Sequence, residues 1–490
     1  MIRFKGRIVQ FGFGAVGKSF FEKVKKEIKY NEYNYHVVTM DADEFKAYVN
    51  LGGINLNFHV KEVNRENYTE VFEPLLGSGD LLIDFADTVG TLDLCRWCAE
   101  RNIMYLNTGE TDWPDHWYCI FEENERKNAL KEELASRPEI NRHPIVLQHG
   151  NNPGLVSHFT KEGISYIVSK QFPKDKTLKT LVKEGKFAEA ARALGLKMVH
   201  VNDIDLQKVK GEFRDNVLYT TWCMDSFWFE MLSEATMDVG THERADYTEN
   251  CNAFPKEKGY FTFRNLAADK RCRTFYPGGG FEGNLVPHEE TITIAKSLEI
   301  EENGVVVYRP TVLFLYQPCE YARRFFAEAK VNTYPEPDPE KPQDCEIPGM
   351  QTIIRGYKYP ERFEVLYQEK IDSGTEYVGV LLLGDKFDPV WVGNRVETSF
   401  LYKKKEGSFW QTPTITPVAM SALAAVRWML SNRDKGGIYF PDDIADYKSV
   451  LKTAEKYISK TIYRTFSKDD IAGYMGIDFD DLQAADIFVE

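Results

Sequence analysis

The residues at 218–232, LYTTWCMDSFWFEML, bring aromatic rings and carboxylates together in a short segment. Trp222 and Glu230 stand eight residues apart within it. The face of an indole ring and a carboxylate both attract cations, and few other ligands favour both groups. The segment therefore indicates either a binding site for a positively charged substrate or a core segment with charged edges. Composition alone favours the core, because a tryptophan between Thr221 and Cys223 can pack inside a sheet.

A second set of residues suited to chemistry is the glycine series that follows the short apolar strand RIVQFG at 7–12. Gly12, Gly14 and Gly17 match the pattern G-x-G-x-x-G, and the residues after them have helical periodicity. Such glycines permit a tight turn and let the backbone approach a pyrophosphate at the start of a helix. The placement between strand and helix predicts a dinucleotide-binding domain. A glycine-rich turn in an unrelated α/β domain is the alternative.

The next predicted strand, HVVTMDAD at 36–43, ends in acidic residues. Asp41 lies twenty-four residues after Gly17. A carboxylate at this position bonds the hydroxyl groups of the adenosine ribose and repels a 2′-phosphate. The sequence therefore predicts NAD as the cofactor, in preference to NADP. The further predicted cofactor contacts are Ala15, Val16, Ala86, Thr108 and Asn152.

Apolar strands continue to alternate with helices, at LLIDFAD (81–87), NIMYLNTG (102–109) and PIVLQHG (144–150). This pattern is typical of the buried strands of a parallel sheet. Asn152 follows the last of these strands and so faces the crevice in which such sheets bind ligands. With Pro153 it can equally open a helix and cap it. These residue types alone leave both interpretations open.

Beyond about residue 155 the pattern changes to a helical stretch followed by the strand-like segments MVHVNDIDLQ, NGVVVYRPTVLFLYQP and YVGVLLLGD. They predict a largely antiparallel sheet with helices on one face, serving substrate binding and dimerisation. YPGGGFEG at 276–283 is predicted to be a mobile loop and PEPDPEKPQ at 335–343 an exposed excursion. The predicted fold class is α/β. Its parts are an NAD-binding Rossmann domain at 1–152, rejoined by the helical segment 412–490, and a second α+β domain at 153–411.

The composition is that of an ordinary globular protein, since 43% of the 490 residues are hydrophobic and 28% are charged. A chain of this length is too long for one hydrophobic core, so two or three domains are expected. The formal net charge of −14 argues against binding to nucleic acid or anionic membranes, which requires concentrated lysine and arginine.

No apolar run is long enough for a membrane span, and the N-terminal residues MIRFKGRIVQFGFG lack the apolar centre of a signal peptide. Cys95 and Cys98 form a CxxC pair without a second pair at zinc spacing. They are interpreted as reduced thiols, no metal site is predicted, and the expected location is cytoplasmic.

Several segments together resemble the bacterial-type homospermidine synthases, within the saccharopine-dehydrogenase-like superfamily. HGNNPGLVSH alone would indicate only the superfamily, whereas Trp222 and Glu230 with YRPTV and QPCE narrow the resemblance to the synthases. It extends from residue 7 to about residue 440. The other matching segments are GFGAVGKS, HVNDIDLQ, TTW at 220–222, GTHE at 240–243, PHEE at 287–290 and WVGNR.

The resemblance implies a transferase that uses NAD as an internal redox relay. In this family putrescine is oxidised to an imine, ammonia leaves, and a second amine condenses with the remaining carbon. The new imine is then reduced by the same NADH, so that no net oxidation occurs. The resemblance also implies a homodimer with putrescine as substrate, and it leaves open whether spermidine also donates the aminobutyl group.

The resemblance also implies roles for individual residues. Trp222, Glu230 and Asn152 match residues that line the family's substrate pocket. Asp203 stands where the family is expected to have a glutamate, which leaves the reach of this shorter acid and the preferred amine length open. Pro287 and His288 match a segment near the nicotinamide.

Elementary chemistry agrees with these roles. A carbon gives up hydride only when the neighbouring nitrogen is neutral, whereas the far nitrogen of a diamine can stay an ammonium. Glu230 or Asp203 can hold that ammonium with a charge-assisted hydrogen bond of roughly 1.5–3 kcal/mol. An indole face stabilises an iminium by about 2 kcal/mol in a dry site. His288 can shuttle protons near neutral pH, the alternative being a structural histidine at a strand end.

Two other functions compete with this interpretation. A saccharopine or carboxyspermidine dehydrogenase performs net reductive amination, and its substrates carry carboxylates that arginines should bind. A non-catalytic NAD-binding sensor is the rival of a different class. It leaves the aromatic and acidic residues of the second domain unexplained.

Overall fold

The computed structural model describes residues 1–86, 88–109, 111–113, 120–137, 139–211, 213–244, 259–331, 353–367, 369–402 and 410–489. The predicted excursion at 335–343 lies outside these residues. Two large sheets organise the described chain, one of seven strands and one of nine.

The first sheet is parallel throughout. Its central strands are buried on both faces, which explains their nearly continuous apolar sequences. Helices Ala15–Glu27 and Ile415–Ser431 cover one face, and helices Thr91–Glu100 and Ile120–Ala135 cover the other. From edge to edge the strands are Gly437–Tyr439, Pro144–Val146, Met104–Asn107, Leu81–Asp84, Ile8–Phe11, Tyr35–Thr39 and Phe58–Val60.

Strand Ile8–Phe11 is the first long strand of this sheet in the chain, and it lies between Tyr35–Thr39 on one side and Leu81–Asp84 on the other. Later strands are added first on one side of it and then on the other, so the strand order reverses direction here. Open parallel sheets bind ligands outside the carboxyl ends of their strands at such a reversal. The predicted glycine turn follows Ile8–Phe11 and therefore lies at this position.

The second sheet is largely antiparallel, with one parallel pair between Thr311–Gln317 and Leu196–Asp205. This mixed sheet and the parallel first sheet confirm the predicted fold class. Its main path runs through Tyr260–Leu266, Glu234–Asp238, Thr311–Gln317, Leu196–Asp205, Thr375–Gly384, Val390–Glu397 and Ile462–Thr465, and the strands Arg271–Tyr276 and Gly279–Leu285 join it at Thr311–Gln317.

Side chains of the second sheet alternate between two faces, because successive residues of a strand point to opposite sides. The inner face carries Val199, Val201 and Val380 and packs against helix Leu155–Gln171. The outer face carries Met198 and Leu381, which pack against helix Lys468–Met475. The expectation of helices on one face only is therefore wrong, since a C-terminal helix covers the second face.

The segment 412–490 is divided between the two sheets. Strand Gly437–Tyr439 pairs with Pro144–Val146 in the first sheet, whereas Ile462–Thr465 pairs with Val390–Glu397 in the second. The predicted return of this segment to the first domain is therefore wrong for its last part. Residues 462–489 bury their apolar side chains on the outer face of the second sheet, for which the local helical pattern gave no indication.

The glycine-rich segment at 276–283 forms a β-hairpin, not the predicted loop. Tyr276 pairs with Gly279, and the two strands keep a regular antiparallel register back to Arg271 and Asn284. Gly279 has a φ of +119°, a backbone conformation that glycine adopts without strain. The glycines therefore form the turn and the second strand.

The remaining elements are short and surround the two sheets. The remaining helices are Phe45–Asn50, Tyr68–Phe72, Lys176–Lys183, Phe187–Leu194, Met224–Leu232, Glu289–Ser297, Glu320–Ala329, Thr398–Tyr402 and Tyr447–Ala454. Two-stranded pairs join Ile2–Arg3 to Ile28–Lys29, Lys208–Val209 to Ile371–Ser373, Val217–Thr220 to Arg362–Val365, Ile300–Glu302 to Val305–Tyr308, and Ile353–Ile354 to Tyr357–Lys358.

Cys95 and Cys98 lie in helix Thr91–Glu100, and both side chains are fully buried. Burial raises the pKa of the Cys98 thiol well above its usual value, so this thiol is protonated and unreactive at neutral pH. Within the described residues, every helix falls short of the length and hydropathy that a membrane crossing requires.

Candidate active site

The glycine turn has the geometry that a dinucleotide requires. Gly12 has a φ of +86°, and a Cβ at this position would lie 2.8 Å from the backbone carbon of Phe85. A Cβ on Gly17 would lie 2.5 Å from the carbonyl oxygen of Gly12, so this glycine permits close packing of helix and strand. Gly14 caps helix Ala15–Glu27 and faces open space. A pyrophosphate can therefore approach the N-terminus of this helix.

A cavity of about 590 Å³ extends from the glycine turn to the end of strand Tyr35–Thr39. Gly12, Gly14 and Asp41, which the sequence assigns to dinucleotide binding, line this cavity. One carboxylate oxygen of Asp41 accepts a hydrogen bond of 2.8 Å from the backbone N–H of Asp43. Lys61 also lines this cavity, so its charge is mixed.

A second cavity, of about 390 Å³, continues from the first, because Phe85 and Ala86 line both. It lies between the carboxyl ends of the parallel strands and the inner face of the second sheet. Of the predicted cofactor contacts, Ala15 and Gly17 line neither cavity. The predicted site residues that line the second cavity are Val16, Ala86, Thr108, Asn152, Asp203, Trp222, Glu230, Pro287 and His288.

Asn152 directs its side chain to the second sheet. Its Nδ2 donates a hydrogen bond of 2.8 Å to the Oδ2 atom of Asp203. The helix begins at Leu155 with Gly154 as its cap, so Asn152 does not cap it. Of the two interpretations that the sequence leaves open, this geometry favours a residue of the site over a helix cap.

The inner face of the second sheet supplies three neighbouring carboxyl groups. Asp203 and Asp205 alternate along one strand, and Glu376 pairs with Asp205 on the adjacent strand, so all three side chains share one face. Burial raises the pKa of Asp203 to about 7, and Asp205 and Glu290 add to this effect while Asn152 and His288 oppose it. Burial and the charges of Asp203 and Asp205 also raise the pKa of Glu376 well above its usual value.

Asp205 differs from its two neighbours because groups of the protein itself donate hydrogen bonds to its carboxylate. It accepts hydrogen bonds from the hydroxyl of Thr221 at 2.7 Å and from the backbone N–H of Gln207 at 2.8 Å. Thr221 precedes Trp222, so Asp205 fixes the backbone that carries the indole ring. Asp203 and Glu376 line the cavity, whereas Asp205 does not line it and contributes only through its hydrogen bonds to the protein.

Trp222 stands between strand Val217–Thr220 and helix Met224–Leu232. Its Nε1–H donates to the hydroxyl of Tyr316 at 3.2 Å, and its ring meets Phe227 edge to face at 6.0 Å. The ring is partly exposed and lines the second cavity. One edge of the indole is therefore anchored in the protein while the ring borders the space in which a ligand would lie.

Glu230 and His288 meet at the same cavity. Glu230 lies on helix Met224–Leu232, and its Oε1 atom is 4.0 Å from Nε2 of His288. Burial raises the pKa of Glu230 to about 8, although the charge of His288 opposes this effect. A carboxyl group with a pKa near neutrality is suited to proton transfer.

His288 precedes helix Glu289–Ser297, and its ring stacks on Phe314 with 4.2 Å between ring centres. Burial alone would lower its pKa, but the charge and hydrogen bond of Glu290, with the charges of Glu289 and Glu230, raise it to about 10. The ring is therefore protonated at neutral pH. The predicted shuttle that titrates near neutrality is wrong in this respect, because the surrounding carboxylates hold the proton.

Several residues of the site were not predicted from the sequence. Glu376, Tyr316 and Phe314 reach the cavity only through the pairing of the second sheet, and no local motif marks them. Asn107 and Gly109 could have been found, because they lie at the carboxyl end of the predicted strand 102–109, where such sheets bind ligands. Both line the second cavity.

The charge of the second cavity is the feature that most restricts its ligand. Among the described residues that line it there is neither a lysine nor an arginine. Five carboxylic acids line it instead, together with one histidine: Asp84, Asp203, Glu230, Glu289, Glu376 and His288. A cavity of this kind suits a cationic ligand and disfavours a carboxylate.

The parallel sheet, its glycine turn and the adjoining cavities define a dinucleotide-binding fold that is joined to a second, mixed sheet. Residues 8–142 match the family described as saccharopine dehydrogenase NADP binding domain. The fold is also similar to that of saccharopine dehydrogenase (L-Glu forming) from Saccharomyces cerevisiae, with a TM-score of 0.54 at 8% identity over 94% of this chain and 100% of that one.

Within this class, the chain is related over nearly its whole length to the homospermidine synthases, which confirms the resemblance noted in its sequence. It is 25% identical to homospermidine synthase of Mesorhizobium japonicum over 92% of this chain and 89% of the relative. Identity to homospermidine synthase of Blastochloris viridis is 24%, covering 99% and 96%. The crystal structure of the homospermidine synthase of Legionella pneumophila in complex with NAD has the same fold, with a TM-score of 0.80 at 23% identity over 100% and 99% of the two chains.

Proposed function

We propose that the protein is a homospermidine synthase that uses NAD to transfer the aminobutyl group of one putrescine to a second putrescine, with release of ammonia. The observation that carries this proposal is the second cavity, which joins the dinucleotide site and is lined by carboxylic acids and Trp222 without lysine or arginine among its described residues. The relatives named homospermidine synthase support it.

Bound NAD would accept a hydride from the carbon beside a substrate nitrogen and later return it to the new imine. Gly12 and Gly14 would hold the pyrophosphate, and Asp41 the adenosine ribose. Val16, Thr108 and Pro287 line the second cavity and would contact the nicotinamide half. These assignments follow from the positions of the residues relative to the two cavities.

The carboxyl groups bind the nitrogens of the diamine. Asp203 and Glu376 hold the ammonium that does not react, and the amide of Asn152 fixes the Asp203 carboxylate. Burial and the neighbouring carboxylates raise the pKa of both groups, and an ammonium placed between them would favour their charged forms. A diamine bound in this way presents its other nitrogen toward Glu230 and His288.

Glu230 and His288 move the protons of the reaction. Glu230 accepts a proton from the reacting ammonium, which makes that nitrogen neutral before hydride leaves the neighbouring carbon. The second putrescine then attacks the iminium carbon through an amine that is neutral. The carbon–nitrogen bond to the first nitrogen breaks as His288 donates the proton with which ammonia leaves, and Nε2 of His288 takes up the proton that the attacking nitrogen loses. Trp222 faces the iminium and stabilises its charge.

Reductive amination of a carboxylate-bearing substrate is the competing function. Its substrate would place an anion among Asp203, Glu230 and Glu376, where the described lining has no lysine or arginine and its one histidine, His288, already contacts Glu290. The geometry therefore favours the diamine.

Incubation with putrescine and a catalytic amount of NAD distinguishes the three functions. The synthase forms homospermidine and ammonia in equal amounts without accumulating NADH. A dehydrogenase would consume or accumulate NADH in proportion to its product, and a sensor would form no product. Spermidine, offered alone and with putrescine, tests in the same assay whether it also donates the aminobutyl group.

We further propose that the protein works as a cytoplasmic homodimer. The resemblance of its sequence to the synthases supports the dimer, and the wide scatter of the eight cysteines along the chain is compatible with a reducing compartment.

The raised pKa values predict how activity depends on pH. Asp203, with a pKa of about 7, and Glu230, with a pKa of about 8, become neutral as the pH falls and then cannot pair with a cation. We expect kcat/KM for putrescine to fall on the acid side of about pH 8, by about tenfold per unit for each required ionisation. Initial rates at saturating NAD, measured over a range of pH, give this decrease in kcat/KM. A kcat/KM that rises toward acid pH would contradict the assignment of both groups.

Asp41 sets the cofactor preference in this account. We expect Asp41→Ala to raise KM for NAD at least about tenfold, because a charge-assisted hydrogen bond to the ribose is lost, and to reduce the preference over NADP. Asp43→Ala is the matched control, because Asp43 is an exposed acid of the same turn that does not line the cavity. Equal use of NAD and NADP by the natural protein would refute the role of Asp41.

A further inference from the structure

Glu290 is a buried acid of the PHEE segment that the proposed reaction does not yet use. Its side chain is fully buried in the first turn of helix Glu289–Ser297, so it cannot contact a substrate in the cavity. Its carboxylate contacts Nδ1 of His288 directly. The opposite ring nitrogen, Nε2, points to the side where Glu230 lies, at 4.0 Å.

Three features fix this contact in one geometry. Burial raises the pKa of Glu290, and the charge and hydrogen bond of His288, with the positive end of the helix dipole, oppose this effect and favour the carboxylate. His288 is the N-cap residue of the same helix, which sets the spacing between the two side chains. Stacking on Phe314, with the two ring planes inclined by 14°, limits rotation of the imidazole.

We propose that Glu290 is a positioning residue that holds His288 with Nδ1–H toward itself and Nε2 toward the cavity, and so fixes which ring nitrogen exchanges protons with the substrate. This inference rests on the proposed function for its catalytic meaning. After Nε2 has given its proton to the departing ammonia, the neutral ring keeps its Nδ1–H on Glu290. Its Nε2 lone pair then faces the cavity and can take up the next proton, which restores the imidazolium.

The groups around His288 determine how its charge responds to a change at Glu290. The strand Thr311–Gln317 presents the uncharged ring of Phe314 to it. The charged groups that act on His288 from the elements around it are Glu230, Asp203, Glu289 and Glu290. Burial lowers the pKa of His288 and the carboxylates raise it, so removal of the Glu290 charge should lower this pKa.

Glu290→Gln tests the inference, because glutamine keeps the size and can still accept from Nδ1–H but lacks the charge. Histidine NMR of the intact protein should show His288 protonated through neutral pH in the natural chain and titrating at lower pH in the variant. His288→Gln identifies the resonance. We expect kcat of Glu290→Gln to fall on the order of tenfold at about pH 7.5 and to recover partly at lower pH, with KM for NAD unchanged.

Glu290→Asp keeps the charge, so the pKa of His288 should stay closer to that of the natural protein than it does in Glu290→Gln. The aspartate variant also provides a test if the glutamine variant folds poorly. Glu289→Gln is the comparison variant, because the Glu289 carboxylate lies 3.6 Å from Nδ1, and it should shift the titration less. An unchanged titration in Glu290→Gln, or a larger shift in Glu289→Gln, would overturn the inference. The NMR result does not depend on homospermidine formation, so failure of the proposed function and failure of this inference are separable.

Discussion

Replacing Trp222 with leucine should lower kcat for homospermidine formation about thirtyfold. This factor corresponds to about 2 kcal/mol of cation–π stabilisation of the iminium in a dry cavity. Leucine keeps apolar bulk but has no π face. Phenylalanine keeps a weaker π face, so Trp222→Phe should retain part of the activity. The position of the ring at the cavity, held by the hydroxyl of Tyr316, is the structural reason for expecting an effect on chemistry.

A nearby tryptophan provides the matched control. Trp228 lies on the adjoining helix, is 4% exposed and stacks on Phe326 in the core. Trp228→Leu should lower the Tm while the folded enzyme keeps its kcat, whereas the two Trp222 variants should keep their Tm and bind NAD. Equal activities of Trp222→Leu and Trp222→Phe, or unfolding of either variant, would make Trp222 a packing residue.

The second large effect concerns the acids that bind the ammonium groups. We expect Asp203→Asn and Glu230→Gln each to raise KM for putrescine about tenfold to a hundredfold, because each loses a charge-assisted hydrogen bond of roughly 1.5–3 kcal/mol. Glu230→Gln should also lower kcat, because it loses the base that accepts a proton from the reacting ammonium. KM for NAD should not change. Steady-state kinetics with each substrate varied in turn measures both constants.

Glu234→Gln is the control for these variants, because Glu234 pairs with Arg355 and does not line the cavity. Its KM for putrescine should match that of the natural protein. Unchanged putrescine kinetics in both Asp203→Asn and Glu230→Gln would remove these two acids from the substrate site.

The sequence predicted the features that depend on a few adjacent residues. The glycine turn follows from Gly12, Gly14 and Gly17 between a strand and a helix, and the structure gives each of them a steric reason. The parallel sheet followed from short apolar segments, because strands buried on both faces need apolar residues at nearly every position. The same reasoning put Asn152 at the crevice but left a helix cap as an equal alternative, which only the structure could decide against.

Features that depend on pairing between distant segments could not be predicted in this way. Glu376 enters the site only because its strand pairs with Leu196–Asp205 in a register that sets it beside Asp205. The hairpin at 276–283 was mistaken for a loop because its glycines mark turns, while the partner strand is defined by tertiary contact. The protonated state of His288 depends on its burial beside Glu290, which sequence spacing alone does not establish.

The central claim is that one bound NAD takes a hydride from putrescine and returns it to the product. Putrescine deuterated at both carbons beside its nitrogens tests this claim, with catalytic NAD, an added excess of free unlabelled NADH, and mass spectrometry of the product. The account predicts homospermidine that retains every deuterium, because the deuteride removed from the substrate carbon returns to that carbon. Homospermidine that has lost one deuterium per turnover to a pool of free NADH, or the absence of homospermidine, would contradict it.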